Sequence, residues 1–381
     1  MDMTPNNSST ISSERGQPPA QGRGQFRRVL PLLLCFVAAA AALFLLDKLL
    51  MPKYMSGIYE GALVAEYYAA EKNHQLLIVG DCEVYENISP LTLWEDYGIT
   101  SYIRGSPQQL TWQSYYLLED ALNREQPQAV IFSVLAMKYG EPQSEAYNRL
   151  TLDGMELSAA KIAAVQASMT AKESLLSYVF PLFRYHERWK ELSRDDWRYM
   201  FSRRAVSHNG FMMRCDVKPL TALPTPPKLD DYAIGAACWQ YLDKMRELCR
   251  QKGVELILLK APIPYPHWYA EWEAQVAEYA QKHGLLYLNA LEDIEATGID
   301  LKTDTYDGGL HLNLAGAEKF SRYLGGLLSE RGLPDQRQDE RLSALWAEKA
   351  RAYYAMKEAQ LAEIEATGKV ATFTFEKTVK E

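Results

Sequence analysis

Cysteine is scarce, at five in 381 residues, which excludes a scaffold built on disulfides. Histidine is nearly as rare, at six. No two histidines or cysteines stand at metal-ligand spacing around a shared acidic cluster, so neither a metal site nor a cofactor is expected. Excess basic charge is lacking too: Lys+Arg is 41 against Asp+Glu 49, a net charge of −8. Arg15, Arg23, Arg27 and Arg28 against Asp2 and Glu14 leave residues 1–28 at +2, and Asp47 cancels Lys48. The remainder therefore carries −10. A body this acidic does not track a phosphate backbone, so no nucleic-acid partner is expected. Internal repeats are absent. Uncharged apolar runs long enough to cross a bilayer are also absent, with one exception.

That exception is Val29–Leu46, VLPLLLCFVAAAAALFLL, 18 residues without a charge. It reaches the lower limit for a bilayer span of about 17–25 residues. The competing reading is a cleaved signal peptide. The run exceeds the apolar core of a signal, about 7–15 residues, and its small residues lie in its middle instead of beyond its end. An uncleaved anchor over 29–51 is the expectation. Arg27 and Arg28 abut its start, which places the N-terminus in the cytoplasm. The expected location is thus the plasma membrane, single-pass, with the main domain extracytoplasmic. Residues 1–28, rich in Ser, Pro, Gly, Asn and Gln, read as a disordered tail.

Beyond Pro52, short apolar runs alternate with helical patterns. Gln75–Val79, Ala129–Leu135, Val254–Leu259 and Leu285–Leu288 read as buried strands, and Ile99–Ile103 as a weaker fifth. Helices are expected over Leu110–Leu122, Asp231–Lys252, Trp268–Lys282 and Asn313–Leu328, the last capped by Asn313. The pattern predicts an α/β domain over 53–335, a parallel sheet flanked by helices in three layers. Residues 150–235 break the rhythm and read as a mainly helical insertion ending in the Pro-rich PLTALPTPP. A charged helix to about Ala366 and a strand-like VATFTF (370–375) make up the tail from 336 to 381. Cys238 and Cys249 fall on one helix face about 16 Å apart and cannot pair; pairing of Cys215 with either stays open.

The chemistry gathers at two loops. The first strand runs into Gly80-Asp81-Cys82-Glu83, at the end of a parallel strand where such sheets place ligands. Free N–H groups at the following helix start can hold an anion. Much later comes Asp304-Thr-Tyr-Asp307-Gly-Gly-Leu-His311-Leu-Asn313-Leu-Ala-Gly316. A histidine oriented by a carboxylate is the general base that a nucleophile at the first loop requires.

Gly80-Asp81-Cys82 with Asp307…His311-Leu312-Asn313…Gly316 resembles the SGNH/GDSL hydrolase superfamily, over roughly residues 73–330 and interrupted by the insertion. SEAYNRLTLDGM (144–155), Lys260-Ala261-Pro262 and HLNLAGAEK look like a membrane-anchored Gram-positive branch, loosely similar to the protein that assists D-alanyl transfer to teichoic acids. The resemblance implies an esterase or O-acyltransferase acting on acyl groups of a cell-envelope polysaccharide. A multi-spanning membrane acyltransferase is the implied partner. It also implies Cys82 as nucleophile, His311 as base, Asp307 or Asp304 as the orienting acid, and the N–H groups of Cys82 and Gly105 as oxyanion donors. Asp81 and Trp268 are candidates for touching the substrate, although the aromatic run around Trp268 equally fits a helix packed on the sheet. Three departures stand out. The usual serine is Cys82. The usual acid position, three before the histidine, is Gly308. No clear third-block asparagine follows the AVIFSV strand, Asn148 and Ser133 being remote substitutes. An inactive scaffold that binds a glycan or a membrane partner is the rival expectation.

Overall fold

The computed structural model describes residues 23–52, 62–201, 205 and 207–370. The chain divides into two units, Met1–Leu49 and Leu50–Glu381. In the first, a helix runs from Arg23 to Leu50, and Val29–Leu50 is long and apolar enough to cross a membrane. Its side chains from Val29 to Leu46 are exposed, as a lipid-facing surface requires. The expected tail is helical from Arg23 onward; residues 1–22 lie outside the described residues.

The second unit is built on five parallel strands: β1 (Leu76–Gly80), β2 (Ser101–Gly105), β3 (Ala129–Ser133), β4 (Glu255–Lys260) and β5 (Leu286–Asn289). Their order is β2-β1-β3-β4-β5. Side-chain alternation explains why the apolar runs are continuous. Leu76, Ile78, Ala129, Ile131, Ile257 and Leu259 enter one core. Leu77, Val79, Val130, Phe132, Leu256 and Leu258 enter the other. The helices Pro90–Tyr97, Leu314–Glu330 and Glu340–Thr367 cover the first face, and Thr111–Leu122, Ala236–Lys252 and Ala270–His283 the second. The chain goes from β1 outward to β2 and then returns to the other side of β1 for β3. The carboxyl ends of β1 and β3 therefore flank the point where such sheets hold ligands.

Several expected boundaries move. β1 lies one residue later than expected, and β3 stops at Ser133, followed by a tight 3-10 turn Val134–Lys138. The helix before β4 starts at Ala236, yet buries Cys238, Leu242, Met245 and Cys249 as its spacing requires. All five cysteines are free. The insertion is helical only in its first half, as short helices from Glu145 to Arg198. From Met212 to Ile234 it has no regular structure, because its backbone groups bond elsewhere. Met212 N–H donates to Tyr85 O (2.7 Å), Lys218 N–H to Thr305 O (2.8 Å) and Leu220 N–H to Leu301 O (2.9 Å). The C-terminal helix is present over Glu340–Thr367. Of the strand expected at 370–375, residues 371–375 lie outside the described residues.

Candidate active site

Gly80 closes β1 where a side chain has no room: a Cβ there would stand 2.7 Å from Ser133 Cβ. Asp81 then caps a single-turn helix, Cys82–Tyr85, its Oδ1 accepting from Glu83 N–H at 3.1 Å. This turn presents Cys82 at the sheet rim, partly accessible to solvent. Gly105, at the end of β2, lets the turn sit close, since a Cβ would meet Val84 Cγ2 at 3.0 Å and Tyr85 Cδ1 at 3.1 Å. The turn is fixed from below by a buried ion pair. Lys260 Nζ, at the end of β4, donates to Glu83 Oε1 (2.5 Å) and to the carbonyls of Ala261 and Ile263 (both 2.9 Å). Ser133 Oγ donates to Glu83 Oε2 at 3.0 Å.

The second loop closes on the first. Leu312 N–H donates to Asn87 Oδ1 (2.8 Å), and Asn313 caps the following helix by accepting from Gly316 N–H (3.1 Å). His311 is thereby brought beside Cys82, close enough that each group shifts the titration of the other. Asp307 Oδ2 lies 2.6 Å from His311 Nδ1, while its Oδ1 accepts from the N–H groups of His311 (2.8 Å) and Leu310 (3.1 Å). The Nδ1 proton is thus held by a carboxylate. Nε2 is buried and makes no hydrogen bond of good geometry. This arrangement orients an imidazole for proton exchange through its far nitrogen.

The two candidate acids separate cleanly. Asp304 does not reach the imidazole: it bonds Lys319 Nζ (2.7 Å), Asp300 N–H (2.7 Å) and Thr303 Oγ1 (3.2 Å). Gly308 and Gly309, at φ +84° and +98°, take left-handed turns that a side chain resists. The carboxylate that meets the imidazole thus lies four residues before His311, and the position three before it is Gly308. Trp268 packs on the core of the opposite sheet face from Cys82 and donates to Glu273 (2.7 Å). Asp81 is a wholly buried cap whose Oδ2 has no partner. Asn148 is spent on Gln113, Ser168 and Glu173, and Ser133 on Glu83.

Four residues join the site that sequence reasoning passed over. Glu86 Oε2 lies 3.6 Å from His311 Nδ1 and accepts from Tyr306 OH. The Tyr306 ring stacks on the imidazole at 5.9 Å and 16°. The Arg214 guanidinium lies over the Tyr306 ring, 4.7 Å from its centroid. Glu86 follows Cys82 by four residues, one helical turn, and that spacing was the available signal. Lys138, after β3, carries a positive charge that acts on Asp81 and Cys82.

Burial opposes a charge on His311, but Glu86, the sulfur and Asp307 outweigh it and raise its pKa well above the ordinary value. Burial and the Asp81 charge push the Cys82 thiol up, while His311 pulls it down; the net direction is up. Burial also lifts Asp81 to about 6, against the opposing pull of Lys138. The resting pair therefore holds its protons firmly, and raising the pH frees the sulfur.

Among solved structures, the chain is similar to a protein described as lipolytic and of the G-D-S-L family from Desulfitobacterium hafniense DCB-2. That match has 12% identity and a TM-score of 0.36, and covers 67% of this chain and 99% of that one. An acylhydrolase, so described, from Bacteroides fragilis NCTC 9343 has 10% identity and a TM-score of 0.34, with 70% and 94% covered. A GDSL-like lipase from Bacteroides thetaiotaomicron VPI-5482 has 9% identity and a TM-score of 0.34, with 70% and 95% covered. No protein-family model and no curated protein matches the chain.

Proposed function

We propose that the protein is a membrane-anchored, extracytoplasmic esterase or O-acyltransferase acting on acyl groups of a cell-envelope polysaccharide. The observation that carries this reading is the 2.6 Å contact of Asp307 with His311 Nδ1, on an imidazole close enough to Cys82 for the two to shift each other's titration. In the proposed reaction, which starts from the pair after its first proton has left, Cys82 sulfur attacks the acyl carbonyl and its proton passes to His311 Nε2. The N–H groups of Cys82 and Gly105 hold the oxyanion. Collapse breaks the C–O bond, and the leaving alkoxide takes the proton from His311. The thioester left behind is attacked by water or a sugar hydroxyl that His311 deprotonates, and the sulfur departs. A thioester intermediate suits transfer to a second hydroxyl, and a multi-spanning membrane acyltransferase is the proposed acyl supplier.

The rival reading, a glycan- or partner-binding scaffold without turnover, draws on a specific observation. The charges of Asp81 and Glu86 both disfavour the ionised thiol, and Asn148, the remote substitute for the third-block asparagine, is bonded to Gln113, Ser168 and Glu173. One experiment separates the two. The full chain in detergent is incubated with p-nitrophenyl acetate and, separately, with iodoacetamide, beside Cys82→Ala and Cys82→Ser. The enzyme reading expects turnover and labelling that vanish in Cys82→Ala, with Cys82→Ser shifting the balance toward hydrolysis. Turnover and labelling that are the same in wild type and Cys82→Ala would favour the scaffold.

A further inference from the structure

The first half of the insertion exposes an unusual set of side chains. Phe180, Phe183, Trp189, Trp197 and Phe201 are each more than half exposed. Elsewhere among the described residues of the second unit, aromatic rings that large are mostly buried or partly covered. The surrounding stretch is basic in an acidic chain: from Phe180 to Arg204 there are seven Lys and Arg against four Asp and Glu, a balance of +3 where the whole chain is −8. Exposed rings interleaved with basic residues suit the bilayer interface, where the rings sit at headgroup level and the cations meet anionic lipid.

A second, independent observation ties this stretch to the membrane. Leu50 and Met51 pack on Tyr185, with Leu182 and Leu192 against them. Arg188 Nη1 donates to Leu50 O at 2.5 Å, and its Nη2 holds Asp196 at 2.9 Å. Leu50 belongs to the same helix as the uncharged run and follows Leu46 by four residues, about 6 Å along the axis. The residues that grip Leu50 are therefore tied, through the chain itself, to the end of that run.

We propose that this aromatic segment docks on the lipid surface, as a second attachment that stops the domain from turning freely on its single tether. The inference rests on the anchor reading above, and the occupant is the bilayer itself. The fluorescence of the protein suits a direct test. Of eight tryptophans, Trp189 and Trp197 are the strongly exposed ones, and none falls in the apolar run.

The full chain is reconstituted into vesicles of phosphatidylcholine and phosphatidylglycerol, with and without lipid brominated high on the acyl chain. The vesicles are washed in carbonate and floated. Co-flotation with brominated lipid quenching the tryptophan emission is expected. The quenching should be lost in Trp189→Phe/Trp197→Phe and weakened in Phe180→Ser/Phe183→Ser, which keeps both reporters. Failure to float overturns the anchor and the docking together. Flotation without quenching, or quenching that survives the double tryptophan change, overturns the docking alone. Shielding of Trp189 and Trp197 from acrylamide only when a second membrane protein is co-reconstituted would assign the patch to a protein partner and overturn the lipid proposal.

Discussion

Asp307 and His311 are joined twice: the Oδ2–Nδ1 contact of 2.6 Å is matched by Oδ1 accepting the His311 backbone N–H at 2.8 Å. One carboxylate thus sets both the ring tautomer and the path of the backbone that carries the ring. Asp304, three residues earlier, is committed to Lys319 and Asp300. Replacing each acid by its amide should therefore give unequal results. Asp307→Asn is expected to lower kcat/KM by about 10²–10⁴-fold, since an amide permits the wrong tautomer. Asp304→Asn should leave kcat/KM within about tenfold, because removing an acid that does not orient the base costs no transition-state stabilisation. Steady-state rates with p-nitrophenyl acetate decide it. Equal losses in both variants would remove the distinction.

Glu86 should tune the pH at which the sulfur becomes available. It raises the pKa of His311 and also that of Cys82, so its charge holds both protons on the pair. Removing that charge must make the first proton leave more easily, and the ascending limb of the rate profile must move to lower pH. For a carboxylate 3.6 Å from the ring nitrogen, a shift of about one pH unit is expected in Glu86→Gln. Alkylation of Cys82 by iodoacetamide across pH measures this without any substrate. A profile that overlays the wild type would show that Glu86 acts only through packing.

These two acids also mark where reading the sequence stopped. β1, β3 and β4 were legible because burial on both faces leaves unbroken apolar runs. β2 was faint because it contains Arg104, which is buried against Asp120 at 3.1 Å and the Tyr67 ring at 4.1 Å; its partners are distant in the chain, and no local pattern announces them. Cys82 and His311 were legible as a pair because each lies in a recognisable turn. The choice of Asp307 over Asp304 depended on two left-handed glycines, and loop geometry of that kind is not written in spacing. The irregular half of the insertion extends beyond its Pro-rich link for a related reason: its N–H groups are satisfied by Tyr85, Thr305 and Leu301, through pairings that only the fold creates.

The Glu83–Lys260 pair predicts strong non-additivity. Both side chains are almost fully buried, and the carboxylate also serves Ser133 Oγ and Ala261 N–H. Lys260→Met strands a buried charge and should cost about 3–5 kcal/mol. Adding Glu83→Leu removes that charge and should recover part of the loss, giving a coupling of about 1–3 kcal/mol in a double-mutant cycle. Denaturant unfolding of the full chain in detergent reads both values. Additive losses would mean that the two residues are stabilised separately, and that the Cys82 turn is not fastened to β4 by this bond.

The C-terminal helix reaches the site through one glutamine. Gln360 accepts from Cys215 N–H and donates to Met213 O, both at 3.0 Å, and is itself buried. The strand of chain it grips then bonds the His311 loop: Leu314 N–H donates to Arg214 O at 2.6 Å, and Gly308 N–H to Lys218 O at 3.1 Å. Trp346 stacked on Trp94 (5.3 Å, 15°) holds the same helix to the body. Gln360→Leu keeps the volume but leaves a buried donor and acceptor without partners, a cost of about 1–3 kcal/mol. Because that cost falls on the segment bracing the loop, hydrogen exchange should quicken at Cys215, Lys218, Gly308 and Leu314, while the amides of β1, β3 and β4 keep their protection. Turnover should fall with it, since His311 loses the frame that fixes its approach to Cys82. Uniform acceleration over the whole domain would instead assign Gln360 to global stability and detach the helix from the chemistry.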